Sequence, residues 1–153
     1  MPQPDSLREA FMVTVESFLN VPYRWGGDDP LEGVDCSGLV LEGLKATGMV
    51  PRDADYNADA LLNTVFAANP RVVQPQALQR GMLVFWSQPG KPIHHVEIVW
   101  ARYLHAGGVR VLTIGASGGG SATVDRAAAV RQNAYVKLRR ATTGWIAAVD
   151  PWS

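Results

Sequence analysis

The spacing of apolar positions along this chain changes partway through. Near the N-terminus Phe11, Val15, Phe18 and Leu19 recur at the three-to-four-residue interval of one helix face. Ser6 precedes them with Glu9 three residues on, the spacing of a capping box, so a first helix is expected from Ser6, stopped by Pro22. Residues 22–35 are dense in Gly, Asp and Pro and read as a loop. A second helix is expected over 36–46, with Leu39, Val40 and Leu44 on its packing face and Gly48 as its stop. Gly38 and Gly43 are expected to let this helix approach the sheet closely. A third helix fits 58–68, ending before Asn69 and Pro70.

From there β-branched and aromatic residues take over. MLVFW (82–86), HVEIVWARY (95–103), VRVLTIG (109–115) and AYVKL (134–138) are expected strands separated by turn clusters, and LHAGG (104–108) joins two of them as a hairpin. Helices first and antiparallel strands afterwards predict an α+β domain, not a βαβ repeat. With no repeat or internal linker, residues 1–153 read as one domain, long enough for a real hydrophobic core.

Composition narrows the function classes. An apolar fraction of 47% with 18% charged residues is that of a globular protein. The 14 basic and 14 acidic residues cancel, so nothing argues for nucleic acid or an anionic membrane surface as partner. One cysteine makes no internal disulfide and no Cys-rich zinc site. The first twenty residues lack the charge and apolar pattern of a secretory signal, and no apolar run reaches the roughly 18 residues of a membrane span. The expectation is a cytoplasmic, phage-associated or non-classically delivered protein.

That single cysteine, Cys36, falls where the loop gives way to the second helix, in VPYRWGGDDPLEGVDCSGLV (21–40). A lone cysteine is most often a small buried hydrophobe. Three features point to chemistry instead. A helix start, with its unpaired N–H groups and dipole, favours a thiolate. Polar neighbours, Asp35 and Ser37, are unusual around a residue meant only to pack. Downstream, His94 and His95 open a strand after Pro92, placed to reach a helix N-terminus lying across the sheet. A Cys–His pair is the minimum for thiol catalysis: imidazole takes the thiol proton and later protonates the leaving amine. If His95 faces the helix, Glu97, Val99 and Ala101 share its side of the strand, and Val96, Ile98 and Trp100 take the other.

The ordered blocks PYRWGG, DCSGLV, RGMLVFW and HVEIV resemble those of the NlpC/P60 cysteine peptidases, over roughly residues 8 to 140. The resemblance implies a papain-like α+β fold and cleavage of peptides of the bacterial cell wall. It makes Cys36 the nucleophile, His95 the general base and His94 a flanking residue. It also places Tyr23, Asp35 and Ser37 at the substrate site, with Asp35 meeting the free α-amine of a short stem peptide. The plainer role for Asp35 is an N-cap, and the two can coexist, one oxygen each. The ending AAVDPWS is reminiscent of phage-borne members.

The family pattern breaks at one point. Members usually carry a third polar residue on the strand after the catalytic His, to hold the imidazole in its productive tautomer. Here IGASGGGS (114–121) puts Gly115 there, which has no side chain. A hairpin centred near Ala106 pairs His95 with about residue 117 and leaves His105 at the far tip. Glu97, Ser117 and a backbone carbonyl near Gly115 all remain open as what orients His95. Met82, where the family has Asp, is expected to serve packing or a turn.

The Cys–His pair predicts a thiol peptidase, and the resemblance implies that it acts on a peptidoglycan stem peptide or muropeptide, at or near a γ-D-glutamyl bond. That chemistry needs no metal and no organic cofactor. With no wall-binding segment in view, a phage tail or other delivery partner, or small soluble muropeptides, would bring enzyme and substrate together. Two other readings use the same features: a thiol-dependent acyltransferase, with an apolar channel beside Cys36, and a non-catalytic phage structural module, favoured by the missing third residue.

Overall fold

The helix α1 (Pro4–Glu16) buries Phe11, Met12 and Val15 and begins with Pro at its first turn. Pro needs no N–H there and arrives with helical φ. This corrects the expected capping box: Ser6 lies inside the helix, and Glu9 is paired with Arg80 Nε at 3.1 Å. The computed structural model describes residues 3–141 and 143–153.

After α1 come a short ribbon, β1 (Asp28–Asp29) and β2 (Gly33–Val34), and helix α2 (Cys36–Ala46), whose bounds match the expectation. The expected third helix is only α3 (Ala58–Ala60), running into a π-type turn at Leu61–Val65. A main sheet follows: β3 (Arg71–Val72), β4 (Leu83–Ser87), β5 (Ile93–His105), β6 (Gly108–Ser117), then α4 (Arg126–Gln132), β7 (Tyr135–Arg140) and β8 (Trp145–Val149). Strand order is β3-β8-β4-β5-β6-β7, every neighbour antiparallel. The four expected strands are β4 to β7. Not foreseen were β1, β2, β3, β8 and α4. Strand β8 sets Trp145, Ile146 and Val149, all of high strand preference, around two alanines, and it pairs with β3 on one side and β4 on the other.

The β5–β6 turn has Ala106 at φ 51 and Gly107 at φ 77, the pair of positive values that a type I′ hairpin requires. His105 pairs with Gly108 at that exposed tip, far from the cysteine in the strand direction.

Both faces of the sheet are covered. Leu83, Phe85, Val96, Ile98, Ile114 and Val149 join the cluster built with α1 and α2. Val84, Trp86, Val99, Val111 and Ala148 form a smaller cluster on the other side. The alternation read from the sequence holds, but its layers are exchanged. Val96 and Ile98 face the helices, and His95 and Glu97 fall on the side of Val99. Gly38 and Gly43 also differ from expectation. A Cβ at Gly43 would enter the Phe11 ring at 2.6 Å, and one at Gly38 would strike the Gly27 carbonyl, so these glycines admit α1 and the loop, not the sheet.

The AAVDPWS ending closes the fold. Asp150 pairs with Arg8 at 2.9 Å, and Trp152 packs on Phe11 with ring centroids 5.3 Å apart. Among the described residues, no helix is long and apolar enough to cross a membrane.

Candidate active site

The loop before α2 is fixed by backbone bonds: Tyr23 N–H donates to Ala134, Trp25 N–H to Thr123, and Asp35 N–H to Gly27. It delivers Asp35 in extended conformation as the N-cap of α2. Its Oδ1 accepts from Gly38 N–H at 2.7 Å and Ser37 Oγ at 3.2 Å, and its Oδ2 accepts from Gly26 N–H at 3.1 Å. Both oxygens are therefore engaged, and the cap is real. Burial still raises the Asp35 carboxyl above the usual range against the pull of those three donors.

Cys36 is the first residue of α2, 8% exposed and in no disulfide. Gly38 N–H is taken by the Asp35 side chain and Leu39 N–H by the Asp35 carbonyl. The N–H groups of Cys36 and Ser37 have no acceptor among the described residues, which leaves two donors beside the sulfur. Tyr23 lies against them, its phenol pushed up by burial and by the negative charge of Cys36 and Asp35.

His95 stands near the start of β5, beside Trp86 with ring centroids 5.5 Å apart. Burial alone would lower its pKa. Hydrogen bonding and charge from Cys36 and Glu97 outweigh that and carry it up to about 9. The Nε2 atom is 3.6 Å from Glu97 Oε2 and 3.4 Å from Arg139 Nη2. With Nε2 turned that way, Nδ1 is the nitrogen left for Cys36.

Glu97 is fully buried. Its carboxylate takes Arg139 Nε on Oε1 at 2.8 Å and Arg139 Nη2 on Oε2 at 2.8 Å, with the Thr113 hydroxyl 3.4 Å away. Burial would raise its pKa; His95 and Arg139 hold it below the usual value. Ser117 is buried too, and its Oγ has no hydrogen-bond partner among the described residues.

Two cavities open on this group. One, of about 450 Å³, is lined by Asp35, Cys36 and Ser37 together with Asp28, Asp55 and Tyr56. The other, of about 400 Å³, is lined by His95, Ser117, Trp86 and Arg139 and by the glycines 118–120. Tyr23, Trp25 and His94 border both. Trp25 is 55% exposed on that border. His94 is an exposed rim residue on β5, flanking His95.

Tyr23, Asp35, Cys36, Ser37, His95 and Ser117 thus line the two adjoining cavities, and Glu97 lies buried behind His95. Arg139 and Asp55 were missed by sequence reading. A buried carboxylate at Glu97 demanded a cation, but only the strand register shows that it comes from residue 139. Asp55 sits in an irregular segment that carries no period.

The sequence model described as the NlpC/P60 family matches residues 20–136. The bifunctional muramidase/DL-endopeptidase CwlT of Bacillus subtilis (strain 168) is 33% identical over 93 residues, 59% of this chain and 26% of that protein. The gamma-DL-glutamyl hydrolase of the same organism is 36% identical over 86 residues, 54% of this chain and 19% of that protein. The crystal structure of the P60 domain from the M. avium subspecies paratuberculosis antigen MAP1204 superposes with a TM-score of 0.62 at 25% identity, covering 98% of both chains. The chain spans between 16% and 26% of the length of the curated relatives it matches.

Proposed function

The chain belongs to the NlpC/P60 family, and from that premise we propose that it is a cysteine peptidase of peptidoglycan stem peptides, cutting at or beside a γ-D-glutamyl linkage. The observation that supports this reading is the placement of Cys36 on one cavity and His95 on the adjoining one, with Tyr23, Trp25 and His94 bordering both, and the upward shift that Cys36 contributes to the His95 imidazole. Family membership and the two Bacillus relatives supply the substrate class.

In this reading Cys36 Sγ, as thiolate beside the His95 imidazolium, attacks the amide carbonyl carbon. The oxyanion is met by the N–H groups of Cys36 and Ser37 at the helix start. His95 gives its proton to the leaving amine, then takes one from the water that hydrolyses the thioester. The three carboxylates of the 450 Å³ cavity, Asp28, Asp35 and Asp55, suit the free α-amine of the stem, and Tyr23 closes over it. The acyl-side peptide then lies in that acidic cavity and the leaving amine in the one beside Arg139. An acyl chain would find the same acidic lining unfavourable, which speaks against the acyltransferase alternative. Delivery by a phage particle or another partner belongs to the same proposal and rests on the reminiscent chain end alone.

The test is incubation of the purified protein with defined muropeptides, wild type beside Cys36→Ala, with products read by mass spectrometry. Wild type is expected to cleave and Cys36→Ala to leave the substrate whole. Equal products from both would remove Cys36 from the chemistry. Intact muropeptide with folded, reduced wild type would overturn the substrate class.

A further inference from the structure

The position where the family's third polar residue would stand is Gly115, and the structure shows what occupies its space. Strand β6 runs between β5 and β7, with Ile98 paired to Ile114 and Gly115 paired to Lys137. Continuing the β5 register sets Gly115 directly opposite Glu97. A Cβ on Gly115 would lie 2.5 Å from Glu97 Cγ and 2.8 Å from its Oε1, so the Glu97 side chain fills the volume that a side chain at 115 would need.

Arg139 completes the arrangement from the far side. It pairs with Thr113 on β6, one step along the same face from Gly115. Strands β5 and β7 stand two spacings apart, roughly 9.5 Å. Glu97 and Arg139 cross that gap from opposite sides and join in a two-pronged ion pair. The bridge passes over β6 where β6 has no side chain.

We propose that Glu97, held by Arg139 over Gly115, is the positioning residue for His95 in this chain. The proposal rests on Cys36 and His95 being the catalytic pair. The orienting group then stands on the histidine's own strand, two residues on, where both side chains share a face, and not on the strand after it. Its Oε2 makes an ion-pair contact with Nε2 of the imidazolium and so keeps Nδ1 turned to the thiol. The 3.6 Å separation is longer than a hydrogen bond, as catalytic contacts often are before substrate is bound. Arg139 keeps the carboxylate ionised and fixes its direction. Ser117 does not compete for the role: its Oγ bonds to nothing among the described residues.

The groups facing the imidazole are Cys36 from α2, Glu97 on its own strand and Arg139 from β7. The test separates them. In a Cys36→Ala background the His95 ring is titrated by NMR with Glu97 present and with Glu97→Gln. The midpoint is expected to fall by about one pH unit when the carboxylate is lost. In the Cys-containing protein, Glu97→Gln is expected to slow iodoacetamide alkylation of Cys36 at neutral pH about tenfold. A merely structural ion pair would leave both readings unchanged in folded protein, and that result would overturn the proposal.

The double variant Glu97→Gly with Gly115→Glu carries the carboxylate to the paired position on β6. It is expected to restore the His95 midpoint and the alkylation rate to within about threefold of the parent. A folded double variant that restores neither also overturns the proposal, even if Glu97→Gln alone fails to fold. Neither readout needs a cleaved substrate, so failure here is distinct from failure of the peptidase reading.

Discussion

Asp35 shows how much one side chain in this site does. One oxygen caps α2 through Gly38, and the other holds Gly26, the turn that sets the loop. A carboxylate so placed also lines the acidic cavity. The two duties come apart under substitution. In Asp35→Asn the amide oxygen can still cap Gly38, while one bond to Gly26 is lost, and stability should fall by about 1 kcal/mol. The charge, however, is gone. Wild type should therefore prefer stem peptides with a free α-amine over the same peptides N-acetylated, and Asp35→Asn should lose most of that preference through KM. Hydrolysis rates on the two peptides, measured side by side, decide it. An unchanged preference would confine Asp35 to its capping role.

Among the elements, α2 was the most legible and its surroundings the least. A loop rich in turn residues, then Asp, Cys, Ser and an apolar period, is sufficient to set the bounds of α2, because capping and periodicity are local. What a face packs against is not local. The sequence offered Gly38 and Gly43 to the sheet, and the structure spends them on the loop and α1. It showed alternation along β5, but not that His95 and Glu97 sit with the smaller cluster. The ion pair of Glu97 with Arg139, 42 residues apart, depends on a strand order that no short window contains. Gly38 provides an element-scale prediction. A Cβ there meets the Gly27 carbonyl, which is already the acceptor of Asp35 N–H. Backbone cannot yield as a side-chain tip does, so Gly38→Ala should cost about 2 kcal/mol and loosen the loop beside Cys36. Urea midpoints together with amide exchange at Gly27 and Asp35 test this. A variant as stable as wild type, with Asp35 still protected, would refute it.

At the scale of the whole molecule, the site joins three distant stretches: the start of α2, the start of β5 and the end of β7. The sheet order that brings them together is also what the site's charges act on, so their titration should be felt by the fold. His95 has its ordinary value of 6.5 when unfolded and about 9 in the native protein. A raised native pKa means that the folded chain holds a proton that the unfolded chain has already released. Below pH 6.5 both states are protonated and the stabilisation is complete; between 6.5 and 9 it declines; above 9 it is lost. Its size is on the order of 3 kcal/mol for a shift of this extent. In His95→Gln the proton is absent from both states, while Glu97 keeps Arg139 as its partner. The difference in urea unfolding free energy between wild type and His95→Gln should therefore shrink steadily from pH 6.5 to 9. Subtracting the two curves removes titrations common to both proteins. A difference that stays level across that window would mean that His95 titrates near its unfolded value, and that neither Cys36 nor Glu97 holds its proton.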